Sequence, residues 1–113
     1  MLSRDLNALE ARQREAADVA RAIVDGQRGI CDGCRALARL AHDLVPDWRV
    51  DPDFVVFGAL DSESDRFPLG TVRDRWDPTA LAALDIERLD MERRAEPEVM
   101  AACRSILARF GAG

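Results

Sequence analysis

Apolar residues at Leu2, Leu6, Leu9, Ala16, Val19 and Ile23 recur at helical spacing, with Gln13 filling one slot and Glu10, Arg14, Asp18 and Arg21 off the seam. The pattern predicts a helix to about Val24, with Ser3 as its N-cap and Glu10 and Arg14 as a surface pair. Asp25-Gly26-Gln27-Arg28-Gly29 interrupts it, because each glycine costs about 1 kcal/mol inside a helix. Ile30, Cys34, Leu37, Ala41 and Leu44 define a second helix, which Pro46 ends by steering the preceding residue away from helical angles. Gly33 lies inside this helix, where its use is to admit a neighbouring helix at close range.

Periodicity is lost between Asp47 and Asp77. Phe54, Phe57, Leu60, Phe67 and Leu69 give the stretch apolar weight, yet a single extended segment has no partner strand elsewhere in the chain. A long ordered loop is expected, with Trp48 and Trp76 as anchors. Loops of that length in a compact domain are either functional or unrecognised elements, and an exposed tryptophan here would mark a binding hot spot. Asp77-Pro78 opens a third helix: the aspartate caps, and proline stands where its missing N–H costs nothing. Trp76, just before the cap, is placed as a hydrophobic staple. The third helix has two apolar sides, Ala82, Ile86 and Leu89 on one and Ala80, Leu84 and Met91 on the other. Glu96-Pro97 repeats the start signal for a fourth helix, lined by Val99, Cys103, Ile106, Leu107 and Phe110 and ended by Gly111. The expected fold is all-α, a four-helix bundle of two helical hairpins joined by a long ordered loop, in one domain over residues 1–113.

The net charge of −5 and the lack of a basic run argue against nucleic acid and fit a basic protein partner better. All 16 basic residues are arginine and tyrosine is absent, which removes lysine Schiff-base and tyrosine acid–base chemistry. Arginine-only usage with abundant alanine reads as a GC-rich genome. No apolar run approaches the roughly 20 residues that span a bilayer. The opening Met1-Leu2-Ser3-Arg4-Asp5-Leu6 lacks the apolar region of a secretion signal, so a cytoplasmic location with reduced cysteines is expected.

Two stretches raise chemistry. Cys31-Asp32-Gly33-Cys34 at a helix start suits thiol exchange, but the βαβ context of that motif is missing. Cys31, Cys34, Cys103 and the single histidine, His42, would make a four-ligand zinc set, whereas Cys34 and Cys103 fall on apolar seams where cysteine acts as a small hydrophobe. His42, near a helix C-terminus, is suited to favourable interaction with the helix dipole. Asp61-Ser62-Glu63-Ser64-Asp65 spaces its acidic groups like a calcium loop, then departs from it at Arg66 and Val72, where glycine and a bidentate glutamate belong. Internal ion pairs with Arg66, Arg73 and Arg75 are expected instead.

Three pieces resemble a family of small bacterial helical proteins of unknown function. They are Ile30-Cys31-Asp32-Gly33-Cys34-Arg35 with Leu37; Gly58 with Leu60-Asp61-Ser62-Glu63-Ser64-Asp65, Pro68-Leu69-Gly70, Val72-Arg73 and Trp76; and Ala102-Cys103-Arg104 with Leu107. The resemblance implies a shared fold and a shared role for the middle stretch, and brings no activity and no catalytic residues.

The function expected from these features is a small protein-interaction module without catalysis or cofactor, self-associating or immunity-like, with Asp61, Ser62, Glu63, Asp65, Arg66 and Arg73 as its interaction loop. The competing reading is a metal- or thiol-dependent enzyme or sensor using Cys31 and Cys34 or the Asp61–Asp65 stretch.

Overall fold

The computed structural model of the chain describes residues 2–111, with side chains from Asp5 onward. The expected Ser3 cap falls outside the described side chains. Helix α1 (Leu2–Val24) and helix α2 (Ile30–Leu44) form an antiparallel pair, with Ile23 of α1 over Gly33 of α2 at one end and Arg12 3.6 Å from Asp43 at the other. The turn between them closes α1 with paired bonds, Gln27 N–H donating to Ala22 O at 2.8 Å and Gly26 N–H to Ile23 O at 3.1 Å. That arrangement needs a left-handed residue, and Gly26 supplies it at φ 74°. A Cβ on Gly33 would overlap the Ile23 side chain, so the glycine sets the approach of the two helices.

The middle stretch is partly helical. It contains α3 (Val55–Glu63) and a 3-10 helix (Gly70–Arg75) where a loop was expected. Asp51 starts the change: its side chain accepts from Asp53 N–H at 2.9 Å, and its carbonyl accepts from Val55 N–H at 3.0 Å. Val55 and Val56 favour strands intrinsically. Burial overrides them, because a helix puts Val56, Phe57 and Leu60 together on the face turned to the core. Of the expected packing residues, Phe54, Phe57, Leu60 and Phe67 are buried and Leu69 is partly buried.

Trp48 lies directly over Gly58, where a Cβ would overlap its indole ring. Gly58→Ala is therefore expected to lower stability, since about 1–3 kcal/mol of overpacking exceeds the roughly 1 kcal/mol gained in helix propensity. An unchanged thermal midpoint would mean that Trp48 moves aside.

The third and fourth expected helices are one, α4 (Pro78–Phe110), with Pro97 inside it. Asp77 caps it, Oδ2 accepting from Ala80 N–H at 3.0 Å. Glu96-Pro97 resembles a helix start but breaks nothing. Met91, Glu92, Val99, Ala102, Cys103 and Ile106 stay on one buried face only if the helix runs on through the proline. Pro97 lies on the solvent side, where water can satisfy the Arg93 carbonyl that its missing N–H leaves free. Instead of two hairpins there is one, α1–α2, with α3 and the long α4 packed against it. No strand and no helix long and apolar enough to cross a membrane occurs among the described residues.

Candidate interaction cleft

The expected interaction loop divides into two groups, residues paired to other elements and residues left exposed. Asp61 is held by Arg35 across α2, Nε to Oδ1 at 3.4 Å, while Arg35 also donates to Ser64 O at 3.1 Å. Arg66 pairs with Glu87 of α4 and stacks over Phe67. Arg73 binds Asp85 with two bonds of 2.8 Å, which holds that carboxyl below the ordinary range. These three residues brace α3 and the 3-10 helix against α2 and α4. Ser62, Glu63 and Asp65 remain exposed.

The Arg73–Asp85 pair opens a longer chain of charges. Arg88 lies 3.6 Å from Asp85 and donates to Glu92 at 2.7 Å. Glu92 is buried, and its other oxygen accepts from the backbone N–H of Cys31 at 2.9 Å. One carboxylate of α4 thus caps the first turn of α2, where no side chain of α2 itself does so.

That cap bears on the thiols. All three cysteines are buried and free. A helix N-terminus ordinarily favours a thiolate, but Glu92 occupies this one. Desolvation first, then the charge and hydrogen bond of Glu92, push Cys31 up from 9.0 to about 12. Burial chiefly raises Cys34 and takes Cys103 to about 11. These thiols are poor nucleophiles at neutral pH. His42 is exposed and packs edge-on against Trp48, and no three His, Cys, Asp or Glu residues are grouped to hold a metal among the described residues.

A pH dependence follows from the Cys31 shift. Below about 9 the thiol is protonated in both folded and unfolded chains, so its contribution is fully present. As pH rises from about 9 through about 12 the unfolded thiol ionises first and that stability is lost. Under reductant, the denaturation midpoint is expected to fall between pH 8 and 10.5, less steeply in Cys31→Ala. Equal slopes in the two proteins would refute the assignment.

The exposed part of the middle stretch leads to a cleft between α3 and α4. Its volume is about 320 Å³, with Val55, Val56, Ala59, Leu60, Met91 and Ala95 forming apolar walls and Glu63, Arg94 and Glu98 on the rim. Arg94 is tied to Asp90 at 3.1 Å, whereas Glu63 and Glu98 have no ion-pair partner among the described residues. A second depression, of about 290 Å³, adjoins it along α4 and shares Val55, Val56 and Glu98. Of the expected interaction-loop residues, only Glu63 lines the cleft. The lining residues come from α3, a segment expected to be loop, and from the continuation of α4 through Pro97.

Apolar side chains are also exposed away from the cleft. Trp76 is 39% exposed and borders a shallow depression with Leu69, Val72 and Arg66. On α4, Ile86 and Leu89 are 72% and 52% exposed, so of that helix's two apolar sides the Met91 side is the packed one. Comparison with known protein families, curated proteins and solved structures finds no match to the chain.

Proposed function

We propose that this protein is a cytoplasmic protein-interaction module without catalytic activity, and that the α3–α4 cleft is where it binds. One observation carries the reading: an apolar cleft stands open beside two carboxylates, Glu63 and Glu98, that have no ion-pair partner among the described residues. Apolar walls supply affinity and the unneutralised rim selects a basic partner. The middle stretch supports this indirectly, with Asp61, Arg66 and Arg73 holding α3 in place and Glu63 left to the partner. The resemblance to small bacterial helical proteins fits the same division, with the Gly58–Trp76 pattern as a brace for α3. Buried, protonated thiols weigh against the thiol-dependent alternative.

The test is site-specific photo-crosslinking in the source cell, with the reactive group at Ala59 in the cleft or at Glu10 on the exposed face of α1. A discrete protein adduct is expected from Ala59 and not from Glu10; a second copy of the chain in that adduct would make the module self-associating. Identical patterns from both positions, or none, would remove the cleft from consideration.

A further inference from the structure

The cleft has a register along α4. Its α4 residues are Met91, Arg94, Ala95 and Glu98, and those of the adjoining depression are Glu98, Ala101, Ala102 and Ser105. Adding seven to each number of the first set gives the second. Each set spans positions i, i+3, i+4 and i+7 of a helix, neighbours on one face that together surround a hole for one incoming side chain. Two such holes follow one another at about 10.5 Å along the axis, and the groove from Met91 to Ser105 is about 21 Å long. Alanine at three of the seven positions keeps the holes open, and α3 forms the opposite wall with Val55 and Val56 facing both.

From this geometry we infer that the occupant of the groove is an amphipathic α-helix of a partner protein, about 14 residues long, with large apolar residues seven apart and arginine or lysine on its flanks. A helix lying along α4 repeats every 10.5 Å per seven residues, so its knobs fall into both holes at once. An extended peptide advances about 3.3 Å per residue and alternates its side chains, so its repeat does not match the spacing of the holes. The sign of the flanks follows from Glu63 at one end and Glu98 between the holes, since Arg94 is already paired with Asp90. Asp53, which lines the second depression, is likewise paired, with Arg109 at 3.1 Å. Two carboxylates are therefore left for cations of the incoming helix.

The inference rests on the interaction-module reading, and selection from a displayed random-peptide library on the immobilised full chain separates the two. Peptides enriched on the native protein are expected to carry apolar residues at a seven-residue interval, net positive charge and induced helical circular dichroism. Their affinity is expected to fall at least tenfold for Glu63→Arg/Glu98→Arg, whose positions are both exposed, and to be lost for Ala101→Trp, which fills the second hole from its solvent side. Thermal melts of both variants establish that each is folded, and the charge pair stands by itself if the tryptophan variant is not. Enrichment of extended or acidic peptides that still depends on these positions would overturn the helix while leaving the module. Absence of enrichment, or enrichment indifferent to both variants, would overturn both.

Discussion

Phe57→Ala is expected to lower the free energy of unfolding by about 3–5 kcal/mol. Phe57 is fully buried on the inner face of α3 and packs edge-on against Phe54, with ring centroids 6.3 Å apart. Phe54 in turn meets Phe110 near the end of α4. Truncating Phe57 removes apolar burial and leaves a void at the point where α3 meets the rest of the core, and a ring-sized void closes only in part. The loss is large against the roughly 5–15 kcal/mol stability of an ordinary domain. It also has a position-specific consequence: α3 has only nine residues and little helix propensity in Val55-Val56-Phe57-Gly58, so it depends on that burial. Amide exchange over Val55–Glu63 should accelerate more than exchange over α1. A denaturant midpoint within error of the native one would show that α3 is not held by its aromatic face.

Glu92→Ala is expected to cost a similar amount, about 3–5 kcal/mol, because it strips one partner from a buried ionic cluster. Arg88 would keep only Asp85 at 3.6 Å, and its Nε is already buried with no hydrogen-bond partner. The Cys31 N–H at the first turn of α2 would lose its acceptor as well. Glu92→Gln separates the two roles, since an amide oxygen can still cap α2 but cannot neutralise Arg88. It should fall between the native protein and Glu92→Ala. Both substitutions remove the carboxylate that helps raise the Cys31 thiol, so alkylation of Cys31 at pH 8 should quicken in each. Equal stability of all three proteins would mean that water replaces the carboxylate at no cost, and that the cluster is not shut off from solvent.

The buried cluster and the cleft differ in how much of them the sequence displays. Arg73 and Arg66 stand beside acidic residues in the chain, so ion pairing was legible, but their partners Asp85 and Glu87 lie on α4 and were not. Glu92 shows nothing in the sequence beyond a charged residue amid charged residues, yet it joins α2 to α4 across 61 positions. An acidic residue seven positions C-terminal to Asp85 on a buried helical face was the only available signal, and periodicity treats such a residue as solvent-facing.

Local chemistry by itself determined that the chain is helical, where α1 ends at Gly26, where α2 ends before Pro46 and where Asp77 caps α4. Each is settled within one or two turns of backbone, by a left-handed glycine, a missing N–H or a side chain reaching the first turn. Tertiary structure alone decided that Val55–Glu63 is a helix, that α4 runs on through Pro97 and that the two meet in a cleft. In the first two cases the local preference points the other way, and the apolar face buried against a distant segment outweighs about 3 kcal/mol of proline penalty or the strand preference of two valines. The cleft depends on both outcomes, because its walls are a helix that propensity would not form and a register that Pro97 would have interrupted.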